Sequence, residues 1–177
     1  MGDIYIRKLQ IEDALPLLEL RLRNRQFLKA YEPITPDSHY TLEEQQKVIH
    51  SVARNWDQDL GYGFGVFLQP THQLIGRVNL SNVVRGAWQN CTIGYFLDQQ
   101  MNGKGYMTKA VQQAIHFAFY EVNLHRVQAA IMPHNVASLR VIEKVGFRKE
   151  GYSKYYLKIN GKWEDHLIYA ITPEMSN

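Results

Sequence analysis

The run Ile93-Gly94-Tyr95-Phe96-Leu97-Asp98-Gln99-Gln100-Met101-Asn102-Gly103-Lys104-Gly105-Tyr106-Met107-Thr108-Lys109 decides how the rest of the chain is read. It opens as a strand and closes as a helix. Between them is a polar loop with two glycines around a lysine. Glycine lets backbone N–H groups point inward with no Cβ in the way. The first turn of a helix adds free N–H groups and the positive end of a dipole. Such a loop fits a plain strand-to-helix turn and, equally, an anion cradle suited to phosphate or pyrophosphate. The neighbouring elements have to choose between the two.

Downstream the period is helical over residues 106–122, with Met107, Val111, Ala114, Ile115, Ala118 and Val122 in phase. A strand over Arg126–Ile131 follows. Strand, helix and strand in that order predict a parallel pair with a right-handed crossover. Pro133-His134-Asn135 ends the strand, and a short helix over Val136–Val145 stops at Gly146, a C′ glycine. Asn160-Gly161 is a strong hairpin signal. It joins strands over 152–159 and Lys162–Ile171, in a register that sets Tyr156 opposite Asp165 and Lys158 opposite Trp163.

Upstream, Ile4, Ile6 and Leu9 suggest a first strand over residues 3–9. A helix is expected over 12–28, burying Leu15, Leu18, Leu22 and Phe27, with Pro16 in its first turn. Pro33, Pro36 and Asp37-Ser38 make 31–40 a loop. Thr41 and Glu44 form a capping box for a helix whose core stripe is Gln45, Val48, Val52 and Trp56. Gly61 and Gly63 close it. Strands over 64–68 and 74–80, a connection over 81–89 and a strand over Asn90–Leu97 complete the series.

The 177 residues are 45% apolar, which suits one folded domain over 1–177. The net charge of +3 tolerates an acidic ligand or a ribosomal surface but is not the profile of a direct DNA binder. Cys91 is the single cysteine, so neither a disulfide framework nor a Cys-based metal site is expected. The seven histidines lack metal-ligand spacing, and no metal is expected. Residues 1–9 lack an apolar signal core, and no run approaches a membrane span. The expectation is a cytoplasmic protein with no membrane partner.

The element order is β-α-α-β-β-β-α-β-α-β-β, with the glycine loop after the fourth strand. In this the chain resembles the GCN5-related N-acetyltransferases (GNAT), and within them the RimJ/RimL group of ribosomal-protein N-acetyltransferases, RimJ type. The likeness covers nearly the whole chain. It is carried by Ser81-Asn82-Val83-Val84-Arg85-Gly86, Gly103-Lys104-Gly105-Tyr106-Met107, Met132-Pro133-His134-Asn135, Gly146-Phe147-Arg148-Lys149-Glu150-Gly151 and Gly161-Lys162-Trp163-Glu164-Asp165-His166. The resemblance implies an α/β (α+β) fold. Its mixed, mostly antiparallel sheet would have about seven strands, splayed between the fourth and fifth, with four helices. It implies acetyl-CoA as co-substrate. The family's Gln/Arg-x-x-Gly-x-Gly/Ala motif fits Gln100 to Gly105, or, in the register preferred here, Asn102 to Met107. Asn102, Gly103, Lys104, Gly105, Tyr106 and Met107 would then hold the pyrophosphate, and the main chain of Phe96 and Leu97 the pantetheine arm.

The implied reaction moves acetyl from a thioester to an N-terminal amine, that of a ribosomal protein with N-terminal alanine. An α-amine titrates at roughly 7.7–8.0, well below the ~10.4 of lysine, and needs little help from a base. Asn135 would contact the cofactor arm, and Ser138 would reach the sulfur as acid. Both fit helix caps as well. The acid tyrosine that many relatives carry falls here on Ile142, and the base glutamate of others on Ala130. A water chain to Glu150, His134 or Glu32 is left as a base. Glu32, Tyr156 and Asp165 are the acceptor-side candidates, although Asp165 fits a hydrogen bond to Tyr156 too. Lys104 suits a phosphate contact or plain solvent exposure; Arg85 and Trp88 suit a partner contact or loop packing. The rival functions are acetylation of a small amine, such as an antibiotic or polyamine, and non-catalytic acyl-CoA binding in ribosome assembly.

Overall fold

The computed structural model describes residues 3–175; the outermost residues of the expected 1–177 domain lie outside that range. Seven strands form one sheet: β1 (Ile4–Lys8), β2 (Tyr62–Leu68), β3 (Leu74–Val84), β4 (Asn90–Leu97), β5 (Arg126–Ile131), β6 (Arg148–Ile159) and β7 (Lys162–Ile171). Their order is β1-β2-β3-β4-β5-β7-β6. β4 and β5 run parallel, and every other neighbouring pair is antiparallel. The expected mixed sheet is present.

The helices are α1 (Ala14–Arg23), α2 (Arg25–Leu28), α3 (Leu42–Asp57), α4 (Tyr106–His116) and α5 (Val136–Val145). α4 and α5 cover one face, where Val111, Ala114 and Ile142 pack with Val66, Ile75, Val78, Ile93 and Val127. α1 and α3 cover the other, where Leu17, Leu20 and Ile49 pack with Phe67 and Leu74. Each leucine fully buried in this way contributes roughly 1.5–3 kcal/mol. α3 starts at the expected cap, with Thr41 Oγ1 accepting the Glu44 N–H at 3.3 Å, while the Glu44 carboxylate takes Lys47 at 2.7 Å and so only half of the expected capping box is seen.

Among the described residues five α-helices stand where four are expected, because the 12–28 helix divides at Asn24. Asn24 is buried; its Nδ2 donates to the Leu20 carbonyl at 3.0 Å and its Oδ1 accepts the Gln99 N–H at 2.9 Å. A side chain that bonds back to the backbone and out to another loop ends α1 there. The buried stripe also differs from the expected one. Leu17 and Leu20 are fully buried, whereas Leu15 and Leu22 are about half exposed. The buried side carries Arg21 and Asn24 as well, so a count of apolar residues favours the wrong face.

Smaller differences follow the sheet. Gly63 lies inside β2, β3 runs on to Val84, and β6 begins at Arg148. The helix after the glycine loop passes into a π turn at Phe117–Glu121. At the hairpin, Asn160 and Gly161 both have positive φ, as a two-residue turn of this kind needs. Lys158 pairs with Trp163 as expected, but the register shifts between Ser153 and Leu157. This bulge puts Tyr155 at φ 49° and removes Tyr156 from its place opposite Asp165. Asp165 instead accepts the Tyr155 N–H at 2.8 Å and the hydroxyl of Tyr152.

Candidate active site

β4 and β5 pair only at Asn90/Arg126, Cys91/Val127 and Thr92/Gln128. Beyond Thr92, β4 follows β3 and β5 follows β7, so the two strands part. The opening is a cavity of about 480 Å³ lined by Tyr95, Phe96, Leu97, Ala130, Asn135 and Ser138 among others. Strand edges that part leave peptide groups in need of partners. A linear ligand rich in amides meets that need, as a further strand would.

At the end of β4 the chain turns sharply on Asp98, whose side chain is buried. Its Oδ1 accepts the Gln100 N–H at 3.1 Å, and its Oδ2 accepts from Arg23 Nε at 2.8 Å. The Met101 and Asn102 N–H groups bond to the carbonyls of Asp98 and Gln99. The amides of residues 99–102 are therefore already used, and an anion has to be met from Gly103 onward. Gly103 and Gly105 both have φ +77°, and a Cβ built at either meets nothing within 4 Å. α4 then begins with no side-chain cap and no acid in its first turn. A helix start with open N–H groups, behind two left-handed glycines, is chemically suited to an anion. Lys104 is exposed, with its ammonium near Met101 Sδ.

Across the gap, Asn135 caps α5: its Oδ1 accepts the Ser138 N–H at 3.3 Å. Ser138 does not cap. Its Oγ donates to the Tyr95 hydroxyl at 2.8 Å, and Tyr95 in turn donates to the Ser138 carbonyl at 3.0 Å. Burial raises the Tyr95 pKa and keeps the phenol protonated. Ile142 is fully buried in the core, so no acid comes from that position. A tyrosine hydroxyl reaches α5 all the same, from β4. Sequence reading missed Tyr95 because the pairing joins residues 43 positions apart.

The candidate bases separate clearly. Glu150 is held by Arg126 and Arg148, which pull its pKa down to about 2 and make it a poor proton acceptor. Glu32 lines the cavity, but both its oxygens take the Arg21 guanidinium, at 2.7 and 2.8 Å. His134 is exposed and outside the cavity lining. His166 is buried and does line the cavity. Its Nδ1 stands 2.9 Å from the Glu164 carbonyl. A carbonyl only accepts, so the neutral ring carries its hydrogen on Nδ1 and offers Nε2 as acceptor.

Of the acceptor-side candidates, Tyr156 packs against His166 with ring centroids 5.5 Å apart. Asp165 braces the hairpin bulge outside the cavity lining. The loop after α2 and the hairpin turn touch, as Asn160 N–H donates to the Glu32 carbonyl at 2.9 Å. Arg85 is committed to Asp59 and the Val122 carbonyl, and Trp88 is exposed. Cys91 is fully buried outside the cavity lining, and burial pushes its thiol up to about 12.

A sheet parted at one parallel pair, with a left-handed glycine loop and an uncapped helix start beside it and paired hydroxyls at its wall, is chemically suited to an acyl-CoA-type ligand. The family model described as "Acetyltransferase (GNAT) domain" matches residues 3–148, and the chain belongs to that family. A probable N-acetyltransferase of Bacillus subtilis, YjcK, is 46% identical over 95% of this chain and 93% of its own. The ribosomal protein uS5-alanine N-acetyltransferase of Escherichia coli is 37% identical over 96% of this chain and 87% of its own. The structure of Mycobacterium smegmatis RimJ in complex with CoA-disulfide superposes with a TM-score of 0.93 at 30% identity, covering 98% of this chain and 83% of that one. These relatives place the chain in the RimJ/RimL group, and the protein is an N-acetyltransferase.

Proposed function

We propose that the protein transfers the acetyl group of acetyl-CoA to the N-terminal α-amine of a protein, a ribosomal protein with N-terminal alanine, in the cytoplasm. The observation that carries this is the gap between β4 and β5, with its cradle at one end and the Tyr95–Ser138 pair on its wall. The likeness to a uS5-alanine N-acetyltransferase over almost the full chain supports the choice of acceptor.

The amides from Gly103 to Met107, with the side chains of Asn102 and Lys104, would hold the pyrophosphate, and the main chain of Phe96 and Leu97 with Asn135 the pantetheine arm. Acetyl-CoA, so bound, supplies an acetyl thioester. The wall of the gap brings a neutral amine to its carbonyl, and positioning does much of the work. As the C–N bond forms and the C–S bond breaks, one proton has to leave the nitrogen and one has to reach the sulfur. His166 Nε2 can take the first. Ser138 Oγ can pass its hydrogen to the sulfur while Tyr95 passes its own to Ser138 Oγ, and exchange with solvent then returns a proton to Tyr95 as His166 releases the one it took. In this reading attack is direct, and the buried Cys91 offers no thiol for an acyl-enzyme.

Incubation with acetyl-CoA and a panel of peptides differing in their first residue, read by mass spectrometry, tests the reading. Acetylation of the α-amine, best with alanine first, is expected. Turnover of small amines with no peptide product would replace the acceptor, and CoA binding without turnover of anything would remove the catalytic role.

A further inference from the structure

A second groove, of about 620 Å³, lies on the α3 side of the sheet. Arg77, Asn79 and Ser81 of β3 line it, opposite Ser51 and Asn55 of α3. Asn79 and Gly94 face each other across β3 and β4, and both belong to this groove and to the gap between β4 and β5. A Cβ at Gly94 would meet nothing within 4 Å, so the space over this shared residue is open. An extended chain whose amine sits in the gap can continue over Gly94 and Asn79 into the groove, advancing ~3.3 Å per residue.

Arg77 stands in this groove with less partnership than a guanidinium needs. Its Nη2 donates to Asn79 Oδ1 at 2.9 Å, and its Nε is buried with no partner among the described residues. Protein atoms surround the group closely, yet part of the residue's surface stays open to the groove. Burial and the nearby charge of Arg21 lower its pKa to about 10. The carboxylate that acts on Arg77 is Glu32, whose two oxygens already serve Arg21. Among the described residues Arg77 has no bonded carboxylate, because Glu32 is spent on Arg21. An under-partnered enclosed charge is costly unless something supplies the missing counter-charge.

We propose that Arg77 is an acceptor-specificity residue that binds the carboxylate of an acidic side chain lying within the first few residues after the acetylated amine. This rests on the reading that the acceptor is a peptide. The groove's neutral amides and hydroxyls suit the passing backbone, and the planar guanidinium fork suits a carboxylate. The acceptor amine and the acid are then read at two separate points, Gly94 lying between.

The test uses alanine-first peptides with a single Glu moved through positions two to five, each against its Gln counterpart. One register should show Glu preferred by roughly 10- to 100-fold in kcat/KM, the size of one charge-assisted hydrogen bond, chiefly through KM. Arg77→Met should abolish that preference and leave CoA affinity unchanged. It should also leave the melting temperature equal or higher, because an unpaired charge has been removed. A Glu preference that survives in Arg77→Met, or no preference in peptides that are acetylated, would overturn the proposal. A lower melting temperature with the preference intact would make Arg77 a structural residue. Binding of the same peptides with acetylated N-termini to the CoA-loaded enzyme, read by calorimetry, needs no turnover. If no peptide is acetylated, the peptide-acceptor reading fails there, and equal binding of Glu and Gln forms in this second measurement overturns the subsite by itself.

Discussion

At the residue scale, the proposed chemistry rests on two hydroxyls. Ser138 and Tyr95 bond to each other, and the tyrosine also holds the carbonyl of the same serine. If the pair acts as one unit, removing either hydroxyl should cost nearly as much as removing both. Tyr95→Phe and Ser138→Ala are each expected to lower kcat by about 100-fold, a usual size for lost acid assistance. CoA affinity should hardly move. A double-mutant cycle in kcat is the measurement; additive losses would show two independent roles. The pair was only half legible in the sequence. Asn135-x-x-Ser138 is visible as a cap motif, and Asn135 does cap. The partner of Ser138 lies on another strand, and no local spacing points to it.

Among the elements, the glycine loop was readable because its signal is local: left-handed glycines followed by an uncapped helix start. What fixes the loop in space was not readable. Asp98, Asn24 and Arg23 join the end of α1 to the turn before the cradle across some 75 residues of chain. Asn24 among them explains why the 12–28 helix breaks, and with the buried Arg21 why its wet-looking side is buried. The hairpin shows the same division. Asn160-Gly161 set the turn and the first pairs, while the bulge at Tyr155, sustained by Asp165, shifted the remainder. Two outcomes follow for the loop. Gly105→Asp should weaken CoA binding at least tenfold in calorimetry, since it adds a negative side chain to the cradle and strains a left-handed position. Asp98→Asn leaves Arg23 without its anion; Arg23 is about one-third exposed, so the expected loss of stability is only about 1–3 kcal/mol by urea unfolding. That variant should also bind CoA less tightly, and unchanged affinity would mean the turn holds the cradle without Asp98.

Over the whole molecule, the parted strands leave a sheet of two limbs, β1 to β4 and β5-β7-β6, joined directly at three residue pairs. The second limb needs its own bracing. Arg126 on β5 reaches across to Glu150 on β6, with β7 between them in the sheet, through bonds of 3.0 and 2.5 Å; Arg148 adds one of 3.2 Å. This clamp takes Glu150 from its ordinary 4.5 to about 2. The folded value lies below the unfolded one, so the clamp's contribution is fully present above about pH 4.5 and is lost as pH falls toward 2. Glu150→Gln lacks the charge at every pH. The gap in stability between the native protein and Glu150→Gln should therefore hold steady from pH 7 to about 5, then close toward pH 2. Urea midpoints measured across that range give the answer. A gap that stays constant down to pH 2.5 would mean the carboxylate adds nothing by its charge, and the second limb is held by the β5–β7–β6 hydrogen bonds and packing alone.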